Sequence, residues 1–171
     1  MNAQPGKVWK FGDDIDTDVL APGLYMKRPI AELARHCLEL VDPRFAAEVQ
    51  PGDIVVGGRN FGMGSSREQA AEALKILGVA AVLAQGFAGI FYRNALNLGL
   101  LALVCPDADK LKAGTRISVD PIAGTVTDHD SGTTLACEPL PQYLLAMVRD
   151  GGLMPHLQKK FAARSGGEAR P

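Results

Sequence analysis

Residues 53–57 read Asp53-Ile54-Val55-Val56-Gly57, an apolar run between the breaker Pro51-Gly52 and a glycine-rich segment, which is the pattern of a short buried strand. Reading onward, residues 66–77 set Ala70, Ala73, Leu74 and Leu77 on one helical face and stop at Gly78, a helix with a glycine end. Residues 79–84 return to a strand. Residues 88–98 repeat a helical stripe through Ala88, Phe91, Ala95 and Leu98, and residues 100–105 make a third strand beyond Gly99. Strand, helix, strand, helix, strand in that order predicts a parallel sheet with packed helices.

Working toward the N-terminus, residues 7–11 are strand-like and run into Gly12-Asp13-Asp14-Ile15-Asp16-Thr17-Asp18, an acidic turn-rich stretch that continues as Val19-Leu20-Ala21-Pro22-Gly23. Ile30, Leu33, Ala34 and Leu38 are spaced for a short helix over 30–38, and residues 45–49 add another turn. Toward the C-terminus, runs at 116–120, 125–128 and 133–138 are separated by tight turns at 121–124 and 130–132, which predicts a β-meander. An amphipathic helix is expected over 139–150. The fold class is therefore mixed α/β, a largely parallel sheet with flanking helices. Residues 1–157 are expected to form one domain, and the polar, Gly-containing stretch 158–171 a disordered tail.

The chain has 171 residues, enough to bury a single core, and 18 Lys+Arg balance 19 Asp+Glu for a formal charge of −1. That balance gives no pull toward nucleic acid or anionic lipid, so an anionic ligand must be held by a local cluster. Apolar stretches such as 78–83 fall far short of the roughly 18 to 20 residues of a membrane span, and residues 1–9 contain no apolar signal core. A soluble cytoplasmic protein is expected, with no membrane and no nucleic-acid partner. Cys37, Cys105 and Cys137 show no CxxC spacing and no His at ligand distance in sequence, so they are expected to be reduced and buried and to bind no metal.

The chemistry is concentrated in Gly57-Gly58-Arg59-Asn60-Phe61-Gly62-Met63-Gly64-Ser65-Ser66-Arg67-Glu68-Gln69-Ala70, between a strand and a helix. Four glycines allow backbone to approach a ligand, the helix start offers N–H groups to an anion, and Arg59 and Arg67 can each grip a carboxylate or phosphate through two parallel bonds. A P-loop would need Lys before the hydroxyl residue, and the dinucleotide fingerprint would need a third glycine where Arg67 stands. Ser65 with Glu68 also fits a capping box, which would account for that serine but not for the glycines and arginines beside it. A serine-hydrolase elbow is absent, and His36, His129 and His156 read as surface residues.

The acidic run fails as a calcium loop, because Val19 and Tyr25 occupy the positions that would need Gly and Glu. Asp13, Asp14 and Asp16 read as turn chemistry, whereas Asp18, directly before Val19-Leu20, is the one expected to face a site. A third segment, Gly86-Phe87-Ala88-Gly89-Ile90-Phe91-Tyr92-Arg93-Asn94-Ala95-Leu96-Asn97, alone reads as a helix with a solvated face at Arg93, Asn94 and Asn97.

Together, Asp14-Ile15-Asp16-Thr17-Asp18, the block from Arg59 to Ala70 and Phe91-Tyr92-Arg93-Asn94-Ala95-Leu96-Asn97 resemble, in order and spacing, the small subunits of 3-isopropylmalate dehydratase, equivalent to the swivel domain of the aconitase superfamily. The resemblance covers about residues 7–155. It implies a swivelling β/β/α domain that closes over a large partner subunit, whose three cysteines bind a [4Fe-4S] cluster with one iron open to substrate. This chain lacks such cysteines, so it would ligate no metal itself. The implied reaction removes and re-adds water on a 2-hydroxy dicarboxylic acid, with iron as Lewis acid on the hydroxyl. By the same resemblance, Ser65 matches the serine whose alkoxide removes the proton and Arg67 matches the residue that binds a substrate carboxylate. Ser66 binds substrate or caps the helix, and Asp18 matches an active-site aspartate. So weak an acid as a serine needs its anion stabilised, and the helix N-terminus, loop N–H groups and Arg67 are the sources in view.

Substrate choice in that superfamily is set by the loop after the acidic run, here Pro22-Gly23-Leu24-Tyr25-Met26-Lys27-Arg28-Pro29. Isopropylmalate enzymes tend to be apolar near the Lys27 position and homoaconitase-like enzymes basic. Lys27 and Arg28 thus serve a further carboxylate, or face solvent while Leu24, Tyr25 and Met26 form an apolar pocket. The resemblance makes isomerisation of 3- and 2-isopropylmalate in leucine biosynthesis the expected function. Homoaconitase-like and dimethylmalate dehydratase-like reactions are alternatives, and so is a non-catalytic module that binds a carboxylate or phosphate metabolite.

Overall fold

Three runs without a polar interruption, β2 (Ile54–Val56), β3 (Ala81–Ala84) and β4 (Leu101–Val104), lie with both faces covered in the structure, a computed structural model that describes residues 4–167. Continuous apolar strands are what a parallel sheet sandwiched by helices requires. β1 (Gly6–Lys10) pairs parallel with β2, β2 with β3 and β3 with β4. The three later strands, β5 (Arg116–Asp120), β6 (Thr125–Asp128) and β7 (Thr134–Ala136), alternate buried and open positions, as strands with one wet face do. They form the antiparallel meander, and β1 carries it: Gly6 and Lys7 pair with Ile117 and Arg116 while Val8, Trp9 and Lys10 pair with β2. One seven-stranded sheet results, ordered β4-β3-β2-β1-β5-β6-β7.

Its far edges approach each other beyond the strand ends. The Glu138 N–H donates to the Val104 carbonyl at 2.8 Å, and the Cys105 thiol lies 3.6 Å from the Ala136 carbonyl. Buried Phe45, Phe61, Leu33, Leu74, Leu83 and Ile117 fill the space beneath the helices. These are α1 (Thr17–Leu20), α2 (Ile30–Ala34), α3 (Phe45–Glu48), α4 (Gln69–Ile76), α5 (Gly89–Asn97), α6 (Gln142–Arg149) and α7 (Leu153–Ser165). Among the described residues no helix is long and apolar enough to cross a membrane.

Two expectations are corrected. The helix expected from residue 66 begins at Gln69, and Glu68, at its N-cap with helical dihedrals, makes no side-chain cap bond, so the Ser65–Glu68 capping box does not form. Residues 64–67 lie instead in the loop that docks on the acidic segment, where the Ser65 N–H donates to the Thr17 hydroxyl at 3.1 Å. The expected disordered tail is also not found over 158–165, which continue α7, and the domain boundary at 157 falls inside that helix. Asp150 anchors the first turns of α7 by accepting from His156 Nδ1 at 2.6 Å and Lys159 Nζ at 2.8 Å, and Gln158 to Arg164 are mostly good helix formers. Residues 168–171 of the expected tail lie outside the described residues.

Candidate active site

β1, β2 and β3 are parallel, so their C-terminal ends share one edge of the sheet, and each is followed by one of the three segments singled out in the sequence. Ligand sites of parallel α/β sheets form at this edge. The acidic and glycine-rich segments run side by side, joined in sequence by Asp14 N–H to Arg59 O (2.8 Å), Gly62 N–H to Ile15 O (2.7 Å), Thr17 N–H to Met63 O (2.8 Å) and Ser65 N–H to Thr17 Oγ1 (3.1 Å). On the other side, Phe61 N–H donates to Gly86 O at 3.0 Å and Ala88 N–H to Phe61 O at 2.9 Å. Phe61, Phe87 and Phe91 then pack ring against ring beneath the surface.

This pairing gives the glycines a different role from the ligand approach expected of them. A Cβ at Gly57 would strike the Phe61 ring, at Gly58 the Asp13 carboxylate and at Gly62 the Phe91 ring, and at Gly64 it would stand 3.0 Å from Thr17 Oγ1. The glycines let the chain pack on itself. Arg59 is likewise spoken for: its backbone and guanidinium both donate to Asp13, at 2.7 Å from N and 2.9 Å from Nη2. The backbone bond first and the guanidinium second hold the Asp13 carboxyl below the usual carboxylate range.

Beside them lies a cluster of four side chains, three reaching the surface and one, Thr17, buried. Ser65 Oγ lies 3.1 Å from Thr17 Oγ1, and Arg67 Nη1 donates to Asp18 Oδ1 at 2.6 Å and to the Ala21 carbonyl at 3.2 Å. Asp18 also accepts the Gly23 N–H at 3.1 Å, which ties the start of the 22–29 loop to the same cluster. The Arg67 hydrogen bond and then the Gly23 N–H keep Asp18 ionised below the usual range. Asp16 caps α1 by accepting the Val19 N–H at 2.8 Å. Ser65 and Ser66 are exposed, Arg67 is half-buried, and Thr17 is only 3% exposed. A hydroxyl and a guanidinium held on an open surface by the neighbouring residues Thr17 and Asp18 can accept a proton and bind a carboxylate, but cannot enclose a small acid without a second surface.

Of the residues read from the sequence, Ser65, Arg67 and Asp18 are thus brought together. Tyr25 is turned against His36, their rings stacked 3.6 Å apart at 7°, with His36 Nδ1 2.7 Å from Glu39. Arg28 is paired with Glu32 across one helical turn, and Lys27 is exposed. Thr17 was missed: between two aspartates it reads as a solvated turn residue, and only the buried Ile15 two positions before hints that it points inward. A cavity of about 510 Å³ lined by Lys110, Leu111, Thr115 and Leu135 lies elsewhere, on the meander.

A model of the aconitase C-terminal domain family matches residues 21–108. The 3-isopropylmalate dehydratase small subunit 2 of Archaeoglobus fulgidus is 46% identical over 156 residues, 90% of this chain and 94% of that protein. The chain belongs to the aconitase C-terminal domain family. Its similarity within that family extends to the methanogen homoaconitase small subunit of Methanothermobacter thermautotrophicus, also 46% identical over 90% of both chains. Among solved structures, 3-isopropylmalate dehydratase from Methanocaldococcus jannaschii superposes with a TM-score of 0.90 at 39% identity, over 95% of this chain and 98% of that one. The mixed sheet with flanking helices is therefore the fold of this aconitase C-terminal domain family.

The [4Fe-4S] cluster associated with the aconitase superfamily does not fit this chain's donors. Cluster ligation takes thiolates gathered at one place. Cys37, Cys105 and Cys137 are all buried. Burial pushes the Cys37 thiol up, and the Cys137 thiol is pushed up by its hydrogen bond with Cys105 and by burial. No group of three or more His, Cys, Asp or Glu side chains able to hold a metal ion occurs among the described residues.

Proposed function

We propose that this chain is the small subunit of a cytoplasmic hydro-lyase that isomerises 3- and 2-isopropylmalate by dehydration and rehydration, in leucine biosynthesis. The observation that carries the reading is that Thr17 and Asp18, neighbours in the chain, hold Ser65 and Arg67 respectively on one open surface, next to the loop that begins at Gly23. Relatives named as 3-isopropylmalate dehydratase small subunits support it. The missing second surface is assigned to a large partner subunit, which also carries the [4Fe-4S] cluster and with it the Lewis acidity.

Ser65 Oγ, as alkoxide, takes the proton from the substrate carbon next to the one bearing hydroxyl and returns it after the acid has turned in the site. Arg67 binds a substrate carboxylate through the Nε–Nη2 edge of its guanidinium, Nη1 being held by Asp18 and the Ala21 carbonyl. Asp18 and the Ala21 carbonyl already hold one prong in place before substrate arrives, so little side-chain freedom remains to be lost on binding. Ser66 donates to the same acid, and Leu24, exposed on the 22–29 loop, forms the wall for its alkyl group, while Tyr25 stays stacked on His36.

A second reading rests on Lys27, which is exposed on the same loop and has no hydrogen bond or ion pair among the described residues, while Arg28 is engaged by Glu32. Lys27 is free to take an extra carboxylate, as a homoaconitase-like substrate would present. Co-expression with the gene of the large subunit, anaerobic reconstitution and parallel assays on isopropylmalate, homocitrate and dimethylmalate separate the two. Ser65→Ala is expected to lower kcat by about 10² to 10⁴ with assembly intact. Turnover by the purified small subunit alone, or near-normal rates in Ser65→Ala, would overturn the proposal.

A further inference from the structure

A serine alkoxide needs an anion-stabilising environment, and α4 does not supply it at Ser65, because the helix begins four residues later at Gln69. Arg67 Nη1 is directed at Asp18 and the Ala21 carbonyl. The group that does reach Ser65 is the Thr17 hydroxyl. We infer that Thr17 is the positioning residue of Ser65: its hydroxyl accepts the Ser65 N–H and donates its own proton to Ser65 Oγ, fixing that oxygen and stabilising it as an alkoxide. The inference rests on Ser65 being the base.

The directions follow from the geometry. Thr17 Oγ1 lies 3.1 Å from Ser65 N and 3.1 Å from Ser65 Oγ. The backbone N–H can only donate, so it occupies a lone pair of Thr17 Oγ1. The Thr17 proton then needs an acceptor, and Thr17 is 3% exposed, so water is not available to it. Ser65 Oγ is the acceptor in reach, and an ionised oxygen there makes the bond shorter and stronger than a neutral one does. Thr17 keeps its proton throughout; the proton that moves is the one exchanged between Ser65 and the substrate carbon.

The threonine is itself held from three sides. Its N–H donates to the Met63 carbonyl at 2.8 Å, its carbonyl accepts the Ala21 N–H at 2.9 Å, and Asp16 caps the helical turn it opens. Gly64, at φ +108°, leaves the hydroxyl the space a side chain would fill. A donor fixed in this way before substrate binds does not have to reorganise when charge appears, which is the condition under which one hydrogen bond is worth most in catalysis.

Two measurements test this. In the reconstituted complex, Thr17→Val, which keeps shape and removes the hydroxyl, is expected to lower kcat by about 10²-fold with KM within about threefold, the loss expected for one anion-stabilising donor. Thr17→Ser, which restores the hydroxyl, is expected to recover most of that loss. In the isolated chain, with no cluster or partner, the Ser65 amide proton is expected to be protected from exchange, and protection is expected to fall about tenfold in Thr17→Val but not in Thr17→Ser. A folded Thr17→Val complex with kcat within twofold of the unmodified one overturns the inference. So does a Ser65 amide that exchanges freely in the unmodified chain, a result that needs no variant to fold. If Ser65→Ala is inactive while Thr17→Val is fully active, only Thr17 is misassigned; if Ser65→Ala is active, the base assignment itself has failed.

Discussion

Gly62 stands at φ +82°, and a side chain there would collide with the Phe91 ring. Its absence lets the glycine-rich segment lie flat on the aromatic cluster and aims Met63, Gly64 and Ser65 at the acidic segment. Gly62→Ala combines a left-handed backbone with overpacking, so it is expected to cost about 3 kcal/mol. Thermal unfolding of the isolated chain should then move down by about 10 °C, as calorimetry would show. An unchanged melting temperature would mean that Phe91 moves aside freely and that this glycine serves something outside the chain. Ser65, Arg67 and Asp18 were legible in the sequence because hydroxyl, guanidinium and carboxylate carry recognisable chemistry at recognisable spacing. The reason for most of the glycines was not, since for Gly58 and Gly64 it lies in the acidic segment, Asp13 and Thr17, and for Gly62 in the facing helix. Thr17 escaped for the same reason: its partner Ser65 is 48 positions further along.

Periodicity located the strands and helices between residues 53 and 105, because their apolar patterns are local and each is ended by glycine or by a turn. It was silent where an element depends on what it meets. α4 begins at Gln69, later than its pattern, where the residues before it dock on the acidic segment, and α7 exists although none of its residues is buried. Besides the packing of Leu153 on the core, α7 is held by Asp150, placed two residues before Gly152, the residue that precedes the helix. Its carboxyl is held below the usual range, first by Lys159 and then by His156. A carboxylate with a depressed folded-state pKa contributes stability above its unfolded pKa and loses it as pH falls through the folded one. α7 is therefore expected to keep its helicity from neutral pH down through the ordinary carboxylate range and to fray only below it. Backbone carbon shifts of residues 153–165, followed from pH 7 to pH 2, check this. In Asp150→Ala the first turns of the helix should already be less helical at pH 7 than in the unmodified chain, with no further acid step. An α7 equally helical in both proteins would show that helix propensity and the packing of Leu153 sustain it.

The parallel and antiparallel halves of the molecule share β1, and the one tryptophan of the chain, Trp9, sits in that strand. Its indole N–H donates to Asp53 at 3.0 Å, and Asp53, itself 6% exposed, also accepts the N–H groups of Lys7 (3.2 Å) and Gln50 (2.9 Å). Trp9 packs edge-on against buried Phe45, and the Glu138–Val104 bond links the two outer strands beyond their ends. The seam is thus buried, satisfied by hydrogen bonds and crossed by both halves, so neither half has an edge at which to stop unfolding. The alternating and continuous apolar patterns announced the two halves in the sequence, but not that they share a strand, because pairing of residue 6 with residue 117 has no local signature. Unfolding of the isolated chain in urea should therefore be one transition, with Trp9 fluorescence, which reports the seam, and far-UV circular dichroism, which reports the helices, giving the same midpoint. Asp53→Ala leaves three N–H groups without their acceptor and should lower stability by about 3 kcal/mol while keeping the two curves coincident. Separate midpoints in the unmodified chain would mean that the meander and the parallel sheet unfold as independent units. The three site segments would then be carried by the parallel half alone, since all of them leave the sheet from β1, β2 and β3. A single midpoint instead makes the geometry at Ser65 depend on the whole sheet, so that a destabilising change in the meander, far from the site, lowers the fraction of chains able to present it.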